Sequence, residues 1–570
     1  MIKNSIITIL LLGLIAPICA QVEKQEDFLT QNIPQEQVYI QINNSLLLTG
    51  ERLLYKFYTL QAESKKLSEL SKIGRVELIS QNGDIIFEQK VKLYNGQGAA
   101  DFFIDSDLKS GLYKLIGYTN WMLNAEDSFF QQDILIINPY QELSQTEVEK
   151  DQAEKSRFNE FSESNSIYLN LILNKSSYKQ REEVKLLLKN QEKISGDFSI
   201  SVRKVDEIEK PRKINSADYS EYYKNIEWNF NDTLFYPEIR GAYFQGKISG
   251  DDDLENLSKN NIVISSPGEE NQLQIVSTGN NGDFAFIVDE PTNNDKFLFQ
   301  VSDSTKAYEI DLVPLKRPNF DKLSFRPIKI DSVSKESILE KSINIQIENA
   351  YSSIKTNATG NRIRNNYFFD SKLIKYNLDE YNRFNDVRQT FTEIVKFGRI
   401  RKNAAGKNVL LVRNINPYKE FNNPALLIVD GVVEKDHEKL LTYDPYKIES
   451  ISVLRNKLFF GPSVFSGAII IETKNGSYPE EFHNKEMVFK KLETPQKTKE
   501  YYRPDYSTKA LKRIPDYRYQ LFWEPDLKLT GKDQEISFYT SDLEGKFKID
   551  IEGFTKEGKP VSISKAFEVE

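Results

Sequence analysis

Imidazole and thiol groups are the scarcest reactive side chains in this chain of 570 residues, which has two histidines and one cysteine. His437 lies in the polar stretch VEKDHEK and His483 in a charged stretch, so we expect both to be solvated surface residues. A Ser–His–Asp triad needs a buried, oriented histidine, and a zinc site needs more nitrogen or sulfur ligands than these two. Cys19 lies in an expected N-terminal export signal, so no thiol chemistry is expected in the mature protein.

Carboxylates are abundant, with 84 Asp and Glu residues in total. The stretch SGDDDL, from Ser249 to Leu254, could bind Ca²⁺ through hard oxygens, but it lacks the ordered D-x-D-x-D-G spacing, which favours a solvated loop. Asp386 and Glu393 fall seven residues apart on one helical face and do not make a glycosidase pair without a cleft. We therefore expect no catalytic residue, no cofactor and no metal, and a protein that is not an enzyme.

The glycine-bearing stretch GPSVFSGAI, from Gly461 to Ile469, has the small residues of a phosphate loop but not its Gly-Lys-Ser/Thr ending. Its glycines are better explained by a tight turn and by the start of a strand, where a positive φ or close packing is needed. Asp430-Gly431, in the stretch IVDG, is predicted to form the turn of a hairpin between two strands.

Composition and charge restrict the class of protein. The formal net charge is −8 and the pI is about 5.4, so the chain lacks the basic excess of a general nucleic-acid binder. The 29 Tyr and 35 Phe residues favour β-structure. Residues 1–20 combine Lys3, a short apolar run and Ala20 before Gln21, which predicts a cleaved signal peptide and an exported mature protein. No later stretch is apolar for long enough to predict a transmembrane helix.

Alternating apolar and polar residues predict a mainly β chain of tandem sandwiches. The stretch QVYIQIN alternates Val38, Ile40 and Ile42 against polar neighbours, and Asn82-Gly83 and Asn281-Gly282 mark tight hairpins. The expected organisation is a β-sandwich at 36–139, a linker at 140–165, a second β unit at 166–238, a third small β-sandwich at 239–315, a mixed α+β domain at 320–476, a linker or arm at 477–510, and a C-terminal Ig-like β domain at 511–570.

The mixed region contains the strongest helical pattern of the chain. The stretch LDEYNRFNDVRQTFTEIV places apolar residues from Leu378 to Ile394 at spacings of three and four, which predicts one helix. Asp444 is predicted to cap a helix that starts at Pro445 and continues through Ile448 and Ile451.

Four stretches resemble known modules, in the same order along the chain. PQEQVYIQINNSLLLTGERLLYKFYTL with GLYKLIGYTNWM resembles the second macroglobulin-type domain of the α2-macroglobulin family in its Bacteroidetes form. RGAYFQGKISG with GNNGDFAFIV resembles a carboxypeptidase-regulatory-like sandwich. Leu426 to Gly476 resembles the plug domain of TonB-dependent receptors, and RIPDYRYQLFWEPDL with the following strands resembles a terminal Ig-like module. The resemblance implies a plug-domain-containing protein whose biochemistry is not firmly assigned.

We expect the plug-like segment to have no barrel of its own. A receptor barrel of about 22 strands, with roughly 9–11 residues in each, is longer than the 94 residues that follow Gly476. We therefore expect the plug-like domain to stand alone or to dock into a barrel made by another chain. The macroglobulin resemblance does not bring covalent protease trapping with it, because no Cys-Gly-Glu-Gln thioester motif is present.

Two stretches supply candidate interface residues. In the plug-like segment the resemblance implies residues that face a barrel lumen, and in RIPDYRYQLFWEP an aromatic and arginine cluster has the composition either of a binding hot spot or of a joint between domains. The candidate residues are Asp430, Gly431, Phe459, Phe460, Gly461, Phe465, Arg513, Tyr517, Arg518 and Trp523.

The leading hypothesis is a non-enzymatic scaffold protein, periplasmic or associated with the outer membrane, that docks through its plug-like domain to an outer-membrane barrel or a secretion or transport protein. A second hypothesis is an auxiliary component of TonB-linked transport that gates a partner barrel. A third is a macroglobulin-like, non-covalent protease inhibitor with residues 141–165 as its bait. The ligand, the partner, the oligomeric state and Ca²⁺ binding stay open.

Overall fold

The computed structural model describes residues 33–141, 163–206, 208–223, 234–250, 258–267, 272–292, 295–302, 308–325, 334–359, 372–482, 484, 486–507 and 510–570. The chain divides into two compact units. Unit 1 comprises Met1–Ile239, Pro318–Ala358 and Lys499–Glu570, and unit 2 comprises Arg240–Arg317 and Thr359–Thr498. The predicted signal peptide and most of the predicted linker at 140–165 lie outside the described residues. The fold is mainly β, as predicted, with tandem sandwiches and one small α+β domain.

Sandwich A is the first half of unit 1. Its sheets run in the orders β1-β3-β6 and β2-β8-β7-β4-β5. The turn at Asn82-Gly83 joins β4 to β5 as a hairpin, with Gly83 at φ +82°, and confirms that prediction. The strands are β1 (Glu36–Ile42), β2 (Leu46–Leu48), β3 (Arg52–Gln61), β4 (Ile73–Ser80), β5 (Ile85–Lys92), β6 (Gln97–Phe103), β7 (Gly111–Tyr118) and β8 (Phe130–Ile137).

Sandwich B combines two parts of the chain that the sequence assigns to separate domains, 166–238 and 511–570. Its sheets run β10-β34-β33-β12-β31 and β32-β11-β9. The prediction of two separate domains is wrong because β12 pairs with β31 on one side and with β33 on the other. Neither part of the chain therefore makes a closed core alone. The strands are β9 (Leu169–Leu173), β10 (Ser177–Tyr178), β11 (Glu183–Asn190), β12 (Ser195–Lys204), β31 (Gln520–Thr530), β32 (Gln534–Tyr539), β33 (Gly545–Thr555) and β34 (Pro560–Val569).

Helix α1 (Ser334–Ala350) belongs to unit 1 and was not predicted. Lys341 on this helix is only 2% exposed, and its ammonium lies 2.7 Å from Asp206 and 3.2 Å from Glu51. Arg203, at the end of β12, lies 2.6 Å from the same Glu51. Burial alone would raise the pKa of Asp206, but Lys341 and Arg203 outweigh it and hold this pKa well below its ordinary value. These four residues, the buried ion cluster, therefore hold α1 against both sandwiches.

Unit 2 contains sandwich C, whose sheets run β16-β13-β18 and β15-β14-β17-β29. Strand β29 lies in the stretch 477–510 that the sequence assigns to a linker, and it pairs with β17. The turn at Asn281-Gly282 joins β15 to β16, which belong to different sheets, so it is a tight turn but not the predicted hairpin. The strands are β13 (Ala242–Ser249), β14 (Asn261–Ser266), β15 (Gln272–Ser277), β16 (Asp283–Val288), β17 (Lys296–Val301), β18 (Glu309–Leu312) and β29 (Val488–Lys491).

The α+β domain, from Ile374 to Phe482, completes unit 2 around a five-stranded sheet in the order β20-β25-β28-β23-β24. The domain also contains two separate two-stranded hairpins, β21-β22 and β26-β27. Its strands are β20 (Ile374–Asn377), β21 (Gly398–Lys402), β22 (Asn408–Val412), β23 (Leu426–Val429), β24 (Val432–Val433), β25 (Ile448–Leu454), β26 (Leu458–Phe460), β27 (Ser463–Phe465) and β28 (Ala468–Thr473); its helices are α2 (Val387–Glu393), α3 (His437–Leu441) and α4 (Tyr478–Glu481). Two further strands of two residues each are β19 (Ala358–Thr359) and β30 (Lys499–Glu500).

The central sheet of the α+β domain is buried on both faces, which explains its continuous apolar sequence. Along β23, Leu427 and Val429 join the core with α2 and α3, whereas Leu426 and Ile428 contact a second core that includes Val263 and Ile275 of sandwich C. Strand β28 alternates in the same way. The sheet is therefore held between helices on one face and a β-sandwich on the other.

The predicted long helix from Leu378 to Ile394 is wrong in length. Leu378–Glu380 form a short 3₁₀ turn, and α2 starts only at Val387 because the Asp386 carboxylate accepts a hydrogen bond at 2.7 Å from the Gln389 N–H and caps it. The cap at Asp444 is confirmed, but the helix that it starts is a single 3₁₀ turn, Pro445–Lys447. Ile448 and Ile451 belong to β25, where strand alternation replaces the predicted helical face.

Replacing Lys341 tests the buried ion cluster. In Lys341→Ala the carboxylates of Asp206 and Glu51 stay buried and lose their shared cation, so we expect the free energy of unfolding of unit 1 to fall by about 3–5 kcal/mol. Lys335→Ala, at an exposed position of the same helix, should change it by less than about 0.5 kcal/mol. Urea unfolding followed by circular dichroism measures both, and equal midpoints would contradict the role given to Lys341.

Candidate functional site

The hairpin β26-β27, from Leu458 to Phe465 and here named the Phe459 hairpin, places large apolar side chains in solvent. Phe459 is 70% exposed and Val464 is 53% exposed. The two residues are directly opposite in the strand register, so their side chains share one face of the hairpin. The pair forms an exposed apolar surface without an evident role in the fold.

The opposite face of the Phe459 hairpin is anchored in the protein. Leu458 is buried, and Phe460 and Phe465 pack against the core that contains Ile275. Gly461 adopts φ +56°, and a Cβ at this position would lie 2.1 Å from the Ile275 carbonyl oxygen. Only glycine fits that approach, so Gly461 has the structural role in a tight turn that was predicted for it. The hairpin therefore presents Phe459 and Val464 from a fixed base.

Asp430 and Gly431 form the predicted turn between β23 and β24, with φ values of +48° and +83°. The Asp430 side chain is buried and faces inward. It accepts hydrogen bonds from the Thr473 N–H at 2.7 Å, the Thr473 hydroxyl at 2.6 Å and the Tyr478 N–H at 3.2 Å. Such a carboxylate ties α4 to the sheet and is not available to a partner, so Asp430 is structural.

The aromatic and arginine cluster at 513–523 belongs to unit 1 and serves as a joint. Trp523 is buried in β31, opposite Ser201 of β12. The Arg518 guanidinium forms two hydrogen bonds with Asp516, at 2.6 and 2.8 Å. The Tyr517 N–H donates to Glu348 of α1 at 2.5 Å. Only Arg513 among the four candidates is classed as exposed, so of the two interpretations the internal joint is the better one.

The expectation that His437 is solvated is wrong. The residue is only 7% exposed, and its Nδ1 accepts a hydrogen bond at 2.9 Å from the Leu410 N–H. Burial lowers the pKa of His437 to about 4, although the Asp436 carboxylate acts in the opposite direction. A neutral imidazole with one nitrogen occupied by the backbone holds α3 against β22, and this is a structural role.

Apart from Asp386, which caps α2, and Glu393 at the end of that helix, the other sequence candidates for metal or acid–base chemistry lie outside the described residues. These are His483 and the acidic residues of the 249–254 loop beyond Gly250. Within the described ranges, no group of three or more His, Cys, Asp or Glu side chains is placed to hold a metal ion. In the same residues, no helix is both long and apolar enough to cross a membrane.

Val464 is the surface residue that the sequence analysis missed. The strand register indicates that Val464 lies on the exposed face, because in LFFGPSVF the turn at Gly461-Pro462 pairs Phe459 with Val464. A two-residue turn with glycine first is a strong hairpin signal, and it would have placed both apolar side chains on one face.

Comparison with solved structures finds bacterial α2-macroglobulins and an adhesin. Salmonella α2-macroglobulin reacted with methylamine is 8% identical with a TM-score of 0.24, over 94% of this chain and 39% of that one. Escherichia coli α2-macroglobulin activated by porcine elastase is 7% identical with a TM-score of 0.24, over 94% of this chain and 44% of that one. FdeC, an E. coli adhesin, is 10% identical with a TM-score of 0.14, over 47% of this chain and 60% of that one.

The TM-scores are 0.24 or lower, so the macroglobulin-type domains stay predictions. The chain spans about two-fifths of the length of the macroglobulins. No protein-family model matches the sequence, and no curated protein matches it. The plug-like and Bacteroidetes parts of the resemblance stay predictions.

Removing the Asp430 carboxylate should destabilise the α+β domain. In Asp430→Ala two buried N–H groups and a hydroxyl lose their acceptor, so we expect the free energy of unfolding to fall by about 2–4 kcal/mol. Glu449→Ala, which changes an exposed carboxylate on β25, is the matched control. Urea unfolding that gave both variants the wild-type midpoint would show that the turn does not need this carboxylate.

The stability of the α+β domain should depend on pH through His437. The folded pKa of about 4 lies below the ordinary value of 6.5, so below pH 6.5 the unfolded state binds the proton more readily. The neutral His437 therefore makes its full contribution to the free energy of unfolding above pH 6.5. As the pH falls from 6.5 toward 4, that free energy decreases by about 3 kcal/mol at most. Urea unfolding at pH 7.5 and 4.5 should therefore show a smaller pH-dependent loss for His437→Gln than for the wild type. An equal loss in both proteins would exclude His437 as its source.

Proposed function

We propose that the chain is a non-enzymatic binding and scaffold protein of the cell envelope that docks to an outer-membrane partner through the Phe459 hairpin. The observation that carries the proposal is the exposed pair Phe459 and Val464 on an anchored base. Large aromatic side chains held rigidly in solvent are frequent centres of protein interfaces, because little conformational entropy is lost when they are buried. The sequence resemblance to a receptor plug, which covers this hairpin, suggests a barrel as the kind of partner.

The environment of the hairpin supports docking rather than chemistry. The hairpin itself consists of apolar or small residues, and its turn is formed by Gly461 and Pro462. The Asp430 carboxylate and the His437 imidazole of the α+β domain are both buried, and each accepts a hydrogen bond from a backbone N–H group. What the hairpin offers is therefore apolar surface with a defined shape.

Unit 1 supports the scaffold part of the proposal. Its two sandwiches share a buried polar contact, because Tyr39 of β1 donates a hydrogen bond to Glu552 of β33. Lys213 lies 3.3 Å from the same Glu552 and 2.9 Å from Asp550. Burial and the Glu552 carboxylate raise the pKa of Tyr39 well above its ordinary value, so the phenol stays protonated as the donor. Two sandwiches fixed in this way form a stiff support within unit 1.

Site-specific photo-crosslinking tests the docking face. A benzophenone amino acid at position 459 should crosslink, in native envelopes, to an outer-membrane barrel or to a secretion or transport protein identified by mass spectrometry. The same group at Leu339, an exposed apolar position on α1, is the matched control and should not give this product. Crosslinking of the same partners from both positions, or of none from position 459, would contradict the proposal.

Affinity for the captured partner should depend on the exposed pair. In Phe459→Ser with Val464→Ser we expect at least about a tenfold loss of affinity, because burial of one large apolar side chain contributes about 1.5–3 kcal/mol. Leu339→Ser with Ile343→Ser removes equally exposed apolar side chains from α1 and should leave the affinity unchanged. Surface plasmon resonance measures both variants, after circular dichroism has shown that they are folded.

A further inference from the structure

The stretch from Lys396 to Lys419 has an unusual charge for this chain. It contains seven Lys and Arg residues and no Asp or Glu, whereas the whole protein has a net charge of −8. A local run of like charge on an acidic protein indicates a surface for an oppositely charged partner, and the whole-chain charge conceals it. The seven residues are Lys396, Arg399, Arg401, Lys402, Lys407, Arg413 and Lys419.

The structure builds this stretch as a hairpin with its charges outside, here named the basic hairpin (Gly398–Val412). Strands β21 and β22 pair from Gly398 opposite Val412 to Lys402 opposite Asn408. Leu410 and Val412 are buried in the core of the α+β domain and Ile400 packs against it. Arg401 on the other face of the hairpin, and Lys402 and Lys407 at its tip, are exposed.

The tip of the basic hairpin is fixed by its own hydrogen bonds. The Asn403 side-chain oxygen accepts from the Ala405 and Lys407 N–H groups, both at 3.0 Å. Gly406 has φ +77°, and a Cβ there would meet nothing within 4 Å. The turn therefore projects into open space and holds the flanking cations at a defined position.

Within the described ranges, most of these cations form no ion pair with a carboxylate. Arg399 pairs with Glu420 at 3.1 Å, and Glu438 accepts hydrogen bonds from the Asn408 backbone and side chain. For the exposed cations at 401, 402, 407, 413 and 419, the described part of the chain shows no carboxylate oxygen within 4.0 Å. The nearby carboxylates Glu420 and Glu438 offset part of this charge, because they interact with Arg401, Arg413 and Lys407, but the seven cations leave the stretch with a positive excess.

An exposed apolar loop follows the basic hairpin directly. Tyr418 is 95% exposed and Ile415 is 59% exposed. Arg455 fixes the start of this loop, with hydrogen bonds to the Arg413 oxygen at 3.1 Å and the Asn414 oxygen at 2.8 Å. Tyrosine beside an aliphatic residue and several cations is the composition of segments that bind the interface of anionic membranes.

We propose that the basic hairpin and the loop after it, residues 396–419, bind the anionic phospholipid headgroups of a membrane surface. The cations supply electrostatic attraction to the phosphates, and Tyr418 with Ile415 enters the boundary between headgroups and acyl chains. Cations alone would fit an acidic protein equally well. The exposed tyrosine and isoleucine favour a lipid surface, which needs no matching pocket for them. This inference goes beyond the proposed protein partner, because it requires lipid only.

Vesicle flotation with the full-length protein tests this inference independently of any protein partner. The wild type should float with phosphatidylcholine vesicles that contain phosphatidylglycerol and should not float with pure phosphatidylcholine vesicles. Binding should weaken as the salt concentration rises, because salt screens the attraction between exposed charges. Inorganic phosphate at matched ionic strength should not compete with the vesicles.

Charge reversal locates the surface. Arg401→Glu, Lys402→Glu and Lys407→Glu together should reduce the partition coefficient by at least about tenfold, since each cation near an anionic surface contributes severalfold. Lys528→Glu, Lys532→Glu and Lys556→Glu, at exposed positions of unit 1, change the net charge by the same amount and should leave binding unchanged. Tyr418→Ser with Ile415→Ser should weaken binding while keeping its dependence on salt.

Three results would overturn the inference. The first is a wild type that does not bind anionic vesicles. The second is an equal loss of binding in the two triple variants, which would reduce the effect to net charge. The third is binding of soluble polyglutamate without binding of vesicles, which would assign the surface to an acidic protein. None of these results bears on crosslinking from position 459, so the proposed docking hairpin is judged separately.

Discussion

Strand β12 lies between β31 and β33, and this pairing decides how the chain is organised. Ser195 is paired with Thr530 and Gly196 with Thr555, so sandwich B closes only when residues more than 300 positions apart in the sequence meet. Everything between β12 and β31, including the whole of unit 2, is therefore an insertion into sandwich B. Contacts of such sequence separation form late and at a high cost in loop-closure entropy. The core of sandwich B must offset that cost.

The buried ion cluster shows what else closes this arrangement. Lys341 lies on α1 and Glu51 lies in sandwich A. Arg203 lies at the end of β12, and Asp206 follows that strand. Ions buried in this way are weak contributors to stability compared with apolar residues of similar size, but each one excludes any packing that leaves it unpaired. The cluster therefore contributes mainly to specificity, because only one position of α1 satisfies all four charges.

The parts of the fold that the sequence predicted well are those that depend on near neighbours. The turns at Asn82-Gly83 and Asp430-Gly431 follow from backbone preferences of two residues, and the strand alternation follows from local burial. The predictions that failed depend on distant residues. Nothing around 166–238 indicates that its partners are at 511–570, and nothing in VEKDHEK shows that Leu410 lies against the imidazole of His437.

Only some of the candidate interface residues are exposed, because exposure, like strand pairing, depends on distant residues. The candidate residues include Phe459, which is exposed, but also Trp523, Arg518 and Asp430, which the structure places in joints and turns. Residue type alone does not separate a hot spot from a core, because both use aromatic residues and arginine. Exposure separates them, and exposure depends on the tertiary fold.

Both exposed elements of the α+β domain are hairpins, and this has a physical consequence. A hairpin satisfies the backbone hydrogen bonds of its paired residues internally, and one face can be anchored while the other stays in solvent. In the Phe459 hairpin the anchor is Leu458 with Phe465, and in the basic hairpin it is Leu410 with Val412. The outward residues can therefore change without loss of the core. The same domain can carry an apolar surface on one hairpin and a cationic surface on the other, each adjusted independently of the stability of the sheet.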